Sequence, residues 1–363
     1  MKILHTESSC GWGGQELRIL EESRGMAGRG HVVTIAAPVQ SRIFPEARSR
    51  GLNAVALPIA RKGLGGVASL YRWLRRHPVD VINTHSSTDS WLAALACALP
   101  GAAPPIVRTR HVSAAVPDNR ATRWLYVSAT RHVVTTGEAL KRRLIEVNDF
   151  PAHRVTSVPT GIDARRFAPG DRALARRALG LPPEAILIGI VATLRSWKGH
   201  RFVLDALAGI DRADCMLVIV GDGPQRANIE ARIAKSNLGG RVRMAGHQDD
   251  VLPWLHALDI FALPSYANEG VPQGLVQAML CALPCVTTDV GSIGEAARDG
   301  ETALVVPAQD EAALRHALQR LIEAAGLRQA LGRAARAHCE KQFNLEHMLD
   351  RMEGVFRDVL GKT

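Results

Sequence analysis

Short apolar runs alternate along the chain with segments of helical periodicity. Seven runs in the first half have the composition of buried strands: 2–8, 31–38, 54–59, 79–85, 105–111, 132–137 and 154–159. Six runs in the second half have the same character: 186–194, 215–223, 242–247, 260–265, 284–290 and 303–308. Stretches between them, such as 15–30, have the apolar spacing of an amphipathic helix. Strands that alternate with helices predict an α/β fold with parallel sheets covered on both faces.

The two sets of runs predict two doubly wound, Rossmann-like domains. The segment 160–182 contains Gly, Pro and charged residues but no strand-like run, so we expect the hinge there. The predicted N-terminal domain covers 1–165 and the C-terminal domain 166–363, although the last helix could return to the N-terminal domain. Such sheets bind ligands beyond the carboxyl ends of their strands, so the domains are expected to face a central cleft.

Composition indicates an ordinary globular protein. The chain has 363 residues, of which 47% are hydrophobic, and no apolar run is long enough to span a bilayer comfortably. The N-terminus has no basic segment followed by an apolar one, as a secretory signal would. The six cysteines are scattered in apolar or strand-like positions without the paired spacing of a zinc site. We therefore expect a cytoplasmic protein with reduced cysteines and no bound metal.

The excess positive charge lies in the first half of the chain. Residues 1–160 contain 21 Lys and Arg against 11 Asp and Glu, a net charge of +10, whereas 161–363 contain 24 of each. This asymmetry favours an anionic partner, unless Arg is abundant in all proteins of the source. One predicted helix (67–77) carries Arg72, Trp73, Arg75 and Arg76, a mixture suited to a membrane headgroup zone. The alternative is a solvated helix face with Trp73 packed inward.

The stretch NEGVPQGLVQAML (268–280) predicts an anion-binding helix end. Pro272 suits the first helical position, and the N–H groups of Gln273, Gly274 and Leu275 would then point out of the helix. Gly274 would let a phosphate approach the backbone, and the helix dipole would favour its charge. Glu269 would repel a phosphate, so we expect it to bind sugar hydroxyls instead; the alternative is an ordinary loop acid.

Several segments of the second half resemble, in order and spacing, the donor-binding domain of retaining glycosyltransferases of family four, which have the GT-B fold. These segments are 191–200, 218–224, 242–247, 268–279 and 291–310. The segments 11–16, 84–86, 109–111 and 161–167 are similar to landmarks of that family's N-terminal domain and hinge. The resemblance implies transfer of a sugar from a nucleotide diphosphate sugar, with retained configuration and without a metal or other cofactor. The absence of an Asp-x-Asp triplet agrees with this.

The resemblance also implies a donor site on the C-terminal domain. Lys198 matches the family lysine that neutralises the diphosphate, and we assign the same role to Arg195, because Thr193 occupies the family's arginine position. The other expected donor-binding residues are Gly221, His247, Gly270, Val271, Pro272, Gln273, Gly274, Leu275 and Gln277. A purely structural turn and a surface histidine are equal alternatives for Gly221 and His247. Gln277 replaces the family's second Glu, which should weaken ribose binding by about 0.5–1.5 kcal/mol.

In the N-terminal domain, Gly13 and Gly14 form a flexible turn ahead of a helix predicted to begin near Gln15. No acid ends the second strand, which argues against a dinucleotide-binding dehydrogenase. The resemblance implies that this turn and His85 lie on the acceptor side. It also implies that His111 lies near the donor sugar, so that His111 and Glu269 are the catalytic residues. A core histidine is the alternative for both His85 and His111.

The resemblance, taken with the charge distribution, implies an enzyme of the bacterial lipopolysaccharide or cell-surface polysaccharide type. The family resemblance implies that it transfers a sugar to a lipid-linked or polysaccharide acceptor by a front-face mechanism. We expect it to be peripheral, on the inner face of the cytoplasmic membrane at an anionic surface, without a specific nucleic acid partner. The alternatives are a nucleotide-sugar epimerase on the same fold and a non-catalytic relative that binds polyanions or membranes. Glu269, Lys198 and His111 argue against the latter, since a pure binder has no need of them.

Overall fold

Two compact units make up the part of the chain that the computed structural model describes, which is residues 1–101, 104–111, 114–236 and 238–361. The first unit consists of Met1–Gly161 together with Leu345–Thr363, and the second of Ile162–Asn344. Each unit is built on one sheet whose paired strands are all parallel.

The first sheet has seven strands within the described residues. They are β1 (Lys2–Thr6), β2 (Val32–Ala37), β3 (Asn53–Ala56), β4 (Val81–Thr84), β5 (Ile106–Arg110), β6 (His132–Thr135) and β7 (Val155–Ser157). Their order across the sheet is β3-β2-β1-β4-β5-β6-β7. Successive strands are therefore added towards one edge of the sheet up to β3 and towards the other edge from β4 onwards. Doubly wound sheets bind ligands at such a change of strand order, here between β1 and β4.

The second sheet has six strands within the described residues. They are β8 (Ile186–Val191), β9 (Cys215–Val220), β10 (Val242–Gly246), β11 (Ile260–Leu263), β12 (Cys285–Thr288) and β13 (Leu304–Val306). Their order is β10-β9-β8-β11-β12-β13, which places the change of strand order between β8 and β11. Twelve of the thirteen strands of the described residues lie within the predicted apolar runs, β3 begins one residue before its run, and the α/β class with two Rossmann-like units is confirmed.

Helices connect these strands. They are α1 (Gly14–Gly28), α2 (Ile43–Ser49), α3 (Leu64–Arg76), α4 (Ser87–Cys97), α5 (Arg120–Arg123), α6 (Glu138–Glu146), α7 (Arg172–Leu179), α8 (His200–Ala208), α9 (Arg226–Lys235), α10 (Leu252–Ala257), α11 (Gln273–Leu280), α12 (Glu311–Glu323), α13 (Ala325–Gln342) and α14 (Leu345–Val359). Shorter helical turns of 3₁₀ type occur at Ala152–Arg154, Ser196–Lys198 and Ile293–Glu295, and a π-helical segment follows α5 at Trp124–Ala129.

The boundary between the two units lies between Gly161 and Ile162, inside the segment 160–182 in which we expected the hinge, and from Ile162 onwards that segment is a folded part of the second unit. Phe167 is buried in the core of this unit. Helix α7 lies within the segment; the Asp171 side chain caps it by accepting from the Leu174 N–H, and Gly180 ends it with a left-handed φ of 63°. The Asp and Gly at its two ends are ordinary helix boundaries that the search for strands overlooked.

The last helix, α14, belongs to the first unit, so the second unit ends at Asn344 and not at the end of the chain. Its buried face packs with strand residues such as Ile3 and Val81 in one apolar cluster. Arg29, directly after α1, forms ion pairs with three acids of α14, which are Glu346, Asp350 and Glu353. The predicted boundary at 165/166 differs from the observed one, and the return of the last helix is the option that the sequence left open.

Candidate active-site residues of the two units

Three histidines of the first unit form a hydrogen-bonded row. His5 lies in β1, His85 directly follows β4, and His111 directly follows β5. Because β4 lies between β1 and β5 in the sheet, the three side chains come together. Nδ1 of His5 lies 2.9 Å from Nε2 of His85, and Nδ1 of His85 lies 2.9 Å from Nε2 of His111. We call these three residues the histidine row.

Burial keeps the histidine row uncharged near neutral pH. It lowers the pKa of His5 to about 3, with a further contribution from the positive charge of Arg18. Burial also lowers the pKa of His85 and of His111 well below the ordinary value. A neutral imidazole has one N–H donor and one acceptor nitrogen, so each hydrogen bond in the row uses one of each.

Two buried carboxyl groups lie close to the row, and the sequence analysis did not identify them. Asp89 accepts hydrogen bonds from the Thr6 hydroxyl and from the backbone N–H groups of His85 and Ser86. Burial raises the pKa of Asp89 to about 6. The capping box that Ser86 and Asp89 form at the start of α4 is the sequence signal that could have identified this acid.

Glu7, which directly follows β1, is the second of these acids. The Gln15 amide and the Ser86 hydroxyl donate to its carboxyl group, as does the Ser9 backbone N–H at 2.7 Å. Burial, together with the nearby Asp89, raises the pKa of Glu7 to about 8. Glu7 therefore holds a proton over part of the neutral pH range, which an exposed glutamate would not do.

The glycines predicted on the acceptor side lie at the start of α1. Gly13 has an extended backbone (φ 178°) and Gly14 is the first helical residue, one position ahead of the predicted start. The carbonyl of Gly13 accepts from the N–H of Leu17. The structure therefore places this turn beside Glu7, since Gln15 of the first helical turn is a donor to that acid. The assignment to the acceptor side stays a prediction.

In the second unit, Lys198 and Glu269 form an ion pair. Lys198 lies in the 3₁₀ turn that follows β8, and Glu269 lies in the loop that follows β11, the strand next to β8. The Lys198 ammonium is 2.7 Å from Oε1 and 2.9 Å from Oε2 of Glu269, which is almost completely buried. The sequence analysis assigned these residues to different parts of a donor molecule, and the structure places them in direct contact.

The start of α11 differs from the sequence prediction in two respects. Pro272 has an extended conformation (ψ 124°) and precedes the helix, which begins at Gln273. A Cβ at Gly274 would lie 2.6 Å from the carbonyl oxygen of Val191, the last residue of β8. Glycine is therefore needed there for close packing of α11 against that strand end, whatever ligand approaches the helix. Of the predicted donor residues around it, Gly270, Val271 and Leu275 are buried, while Gln277 is half-buried.

The remaining predicted donor residues lie in loops after neighbouring strands. Arg195 is exposed, and its guanidinium lies 5.7 Å from the centre of the Trp197 ring. Gly221 has a φ of 141°, and a Cβ there would clash with the Ala192 carbonyl. The backbone conformation and the packing of this turn are therefore enough to explain why it needs a glycine. Nε2 of His247 lies 3.1 Å from Oδ1 of Asp249 at the surface.

The sequence analysis also missed His200, two residues after Lys198. It is buried at the start of α8, and burial, reinforced by the charge of Lys198, lowers its pKa to about 3. Its position two residues after the lysine, at the end of the segment WKGH (197–200), is the signal that could have identified it.

The basic helix of the first unit is α3, and its Trp73 is not a free membrane anchor. Trp73 is half-buried against the core and stacks on His77 with ring centroids 4.7 Å apart. Arg75 is exposed but donates to the Gly101 carbonyl at 3.1 Å. Arg72 and Arg76 are exposed. The inward packing of the tryptophan agrees with the alternative interpretation, while the arginines still present positive charge to solvent.

None of the helices in the described part of the chain combines the length and the apolar character that a bilayer span requires. Among the same residues, no group of three or more His, Cys, Asp or Glu side chains is arranged to hold a metal ion.

Two family models match the chain, one for each half. The model described as Glycosyltransferase Family 4 matches residues 12–166, and the model described as Glycosyl transferases group 1 matches residues 185–324. Together the two matches include His85 and His111 of the histidine row and both members of the Lys198–Glu269 pair.

Curated relatives and solved structures match over nearly the whole chain. A D-inositol 3-phosphate glycosyltransferase of Acidothermus cellulolyticus is 28% identical over 393 residues, covering 96% of this chain and 86% of the relative. A crystal structure of a glycosyltransferase from Rickettsia africae superposes with a TM-score of 0.88 at 18% identity, covering 100% of this chain and 99% of the other. HepE of Anabaena in complex with UDP-glucose has a TM-score of 0.88 at 20% identity, covering 99% and 100%. At these identities the solved structures establish the fold.

Proposed function

Since the chain is a glycosyltransferase of the GT-B fold, similar to family four and group 1, we propose that it transfers a sugar from a nucleotide diphosphate sugar to a hydroxyl group of its acceptor, with retained anomeric configuration. The observation that carries the proposal is the Lys198–Glu269 pair between the ends of β8 and β11. This pair lies where the strand order changes, the place at which such sheets bind ligands. A cation and a carboxylate held together there suit a ligand that has both a diphosphate and a hydroxylated sugar.

Lys198 and Arg195 are assigned to the diphosphate. Negative charge grows on the leaving phosphate oxygen as the sugar bond breaks, and a nearby ammonium or guanidinium stabilises it. Glu269 accepts hydrogen bonds from sugar hydroxyls. Since it is paired with Lys198 in this structure, donor binding has to exchange at least part of that ion pair for contacts with the ligand. The loop ahead of α11 and the first turn of this helix, residues 270–275, supply backbone N–H groups at every position except Pro272, and Gln277 contacts the ribose.

His111 is assigned to the donor sugar, and Gly13, Gly14 and His85 to the acceptor side. In this mechanism the departing phosphate oxygen takes the proton of the acceptor hydroxyl on the same face of the sugar from which it leaves. No residue has to form a covalent bond with the sugar. The role of His111 is then to hold a sugar hydroxyl and to offer an electron-rich ring edge as positive charge develops.

The test is a panel of UDP-, GDP-, ADP- and CMP-linked sugars. One class of nucleotide sugar is expected to raise the melting temperature, because a ligand that binds the native state stabilises it. With that donor, product formation has to depend on an acceptor, and proton NMR has to show the same anomeric configuration in product and donor. Turnover of the donor without any acceptor would identify an epimerase instead, and no binding at all would contradict the proposal.

For the acceptor, we propose a hydroxylated molecule that carries negative charge, of the lipid-linked or surface-polysaccharide type. The net charge of +10 in the first half of the chain supports an anionic partner. The curated relative is named for D-inositol 3-phosphate, which is also a hydroxylated anion. An assay with inositol phosphate and with a lipid-linked saccharide distinguishes these two acceptors, and transfer to a neutral free sugar alone would contradict the proposal.

We further propose attachment to an anionic membrane surface on the cytoplasmic side through α3. Arg72, Arg75 and Arg76 are exposed on this helix, and each basic residue near such a surface contributes about 1 kcal/mol. Replacing all three with Gln should reduce sedimentation with anionic liposomes and leave donor binding unchanged. A triple Gln variant at Arg24, Arg48 and Arg50, elsewhere in the first unit, is the matched control. Undiminished liposome binding at low salt, or equal retention on duplex DNA, would contradict a membrane-specific role.

A further inference from the structure

The two ends of the histidine row lie in different electrostatic surroundings. At one end, Nε2 of His5 lies 4.0 Å from Oε1 of Glu22, and it has no hydrogen-bond partner in the described structure. Glu22 is completely buried in α1, where Oε2 lies 3.5 Å from the Arg18 guanidinium. The amide of Asn83 donates to Oε1 of Glu22 at 3.3 Å, which fixes the carboxylate beside His5.

At the other end, His111 is half-buried, and burial lowers its pKa, with further contributions from the positive charges of Arg18 and Arg110. Arg18 acts in the same way on His5 and His85, so its charge does not distinguish the two ends. The Arg110 guanidinium donates to the Tyr126 hydroxyl at 2.6 Å. In the middle of the row, Asp89 accepts from the backbone N–H of His85. The carboxyl group of Glu22 therefore lies against the His5 end of the row.

Three neutral imidazoles in this row allow only two complete proton arrangements. If His5 has its proton on Nδ1, it donates to His85, which then donates from Nδ1 to His111, and all three residues are Nδ1–H tautomers. If the proton of His5 is on Nε2, both hydrogen bonds reverse, and all three residues are Nε2–H tautomers. The tautomer of His111 is thus tied to that of His5, two residues away along the row.

The Glu22 carboxylate favours one of these arrangements. An N–H at Nε2 of His5 points its positive end towards this carboxylate, whereas a lone pair there would be repelled by it. Burial raises the pKa of Glu22, and the positive charge of Arg18 at the other carboxylate oxygen opposes this effect and favours the ionised form.

We propose that Glu22 is a positioning residue that acts through His5 and His85 to hold His111 as the Nε2–H tautomer, so that Nδ1 of His111 is a hydrogen-bond acceptor. The functional consequence rests on the proposed function, in which His111 contacts the donor sugar. As an acceptor, Nδ1 takes a hydrogen bond from a sugar hydroxyl and directs its lone pair towards the developing positive charge. As a donor it would do neither.

The test is the tautomer of each histidine, measured from ring nitrogen shifts by long-range ¹H–¹⁵N NMR at about pH 7.5, where the ordinary imidazole is also neutral. The samples are full-length chains without substrate, and the variants His5→Gln, His85→Gln and His111→Gln assign the three signals. We expect all three residues to be Nε2–H tautomers in the parent. Glu22→Gln should shift the row towards Nδ1–H, because an amide N–H can donate to Nε2 of His5.

Glu21→Gln is the matched control, with the same chemical change one residue away at the partly exposed ion pairs with Arg24 and Arg50. It should leave the row unchanged. Nδ1–H tautomers in the parent would overturn the proposal even if Glu22→Gln did not fold, and so would a folded Glu22→Gln variant with an unchanged row.

Transfer kinetics separate this inference from the proposed function. Glu22→Gln is expected to lower kcat by about tenfold, with little change in KM for the donor, because the hydrogen-bond direction matters most in the transition state. An Nε2–H row in a protein that transfers no sugar would refute only the proposed function. Transfer by a protein whose row is Nδ1–H would refute only the role of Glu22.

Discussion

The two units assemble their polar groups in opposite ways. In the first unit, His5, His85 and Glu7 are buried, and burial favours their uncharged forms. In the second unit, Lys198 and Glu269 lie within 2.7 Å of each other as an ion pair, with the lysine side chain partly exposed. Desolvation dominates for the three groups of the first unit named above, whereas attraction between opposite charges compensates for it in the Lys198–Glu269 pair.

This difference indicates what each set of residues can do for a ligand. Uncharged groups in a hydrogen-bonded row control which atom donates and which accepts, and this suits the recognition of hydroxyl groups. A charged pair near solvent can separate and meet a ligand that has both an anionic and a hydroxylated part. We therefore expect ligand binding by the second unit to depend on charge, and the stability of the first unit to depend on protonation.

The largest effect is expected for Glu269→Gln, which removes the charge and keeps the shape. Sugar transfer should fall by about tenfold or more, because the carboxylate is assigned to the donor sugar. Affinity for the free nucleoside diphosphate should stay the same or rise, since Lys198 loses its ion-pair partner. Initial rates and titration calorimetry measure the two quantities. Glu301→Gln, at an exposed site of the same unit, is the control, and equal transfer by the Glu269 variant and its parent would contradict the assignment.

Lys198→Ala should weaken binding of the nucleoside diphosphate by about tenfold, or about 1.4 kcal/mol, through loss of a charge-assisted contact. Alanine also leaves Glu269 buried without its counter-ion, so the variant should lose stability as well. The double variant with Glu269→Gln should regain stability but not affinity, which separates the two effects. Calorimetry of these variants is compared with Lys235→Ala, an exposed lysine of α9; unchanged affinity in Lys198→Ala would remove the role.

The first unit should show a pH dependence that originates from Glu7. Its pKa in the folded chain is raised to about 8, so the folded state binds more protons than the unfolded state and loses stability as pH rises towards 8. The histidine row has the opposite sign, with lowered pKa values, and contributes stability that is lost as pH falls below about 6.5. Between about pH 7 and pH 8.5 the histidines are uncharged in both the folded and the unfolded chain, and the Glu7→Gln variant separates the effect of Glu7 from those of Glu16 and Glu22, whose pKa values burial also raises.

Denaturant unfolding of the parent and of Glu7→Gln measures this effect. The free energy of unfolding of the parent should fall by about 1 kcal/mol or more over that range, and Glu7→Gln should remove most of the slope. Glu138→Gln, at a partly exposed site of α6, should keep the parent's slope. The same slope in the parent and in Glu7→Gln would show that burial does not hold a proton on this acid.

The smallest effect is expected for Gln277→Glu, which introduces the carboxylate found in the resembling family. Nucleotide binding should be kept and tightened by about 0.5–1.5 kcal/mol, because a carboxylate is a stronger acceptor for ribose hydroxyls. Calorimetry with the nucleoside diphosphate measures this against Gln329→Glu, on the exposed face of α13. A large loss of affinity would show that the ribose contact is built differently in this protein.

The amino-acid pattern by itself determined the strands and the class of fold. Twelve of the thirteen described strands lie within the apolar runs that the sequence delimits, because strands buried on both faces require such runs; β3 begins one residue before its run. The ends of β4 and β5, directly before His85 and His111, are also local features. The starts of α1 and α11 each differ from the prediction by one residue, and α7 lies in a segment where no helix was predicted, because cap conformations depend on backbone angles that the pattern does not contain.

The tertiary structure alone decided which of these residues meet. His5 and His85 are 80 positions apart and Lys198 and Glu269 are 71 apart, and the strand orders bring each pair into contact. The same strand orders place Gly274 against the Val191 carbonyl and α14 on the first sheet. A sequence pattern reports how each residue suits its own strand or helix. The protonation and pairing of a side chain depend on neighbours that only the packed sheet supplies.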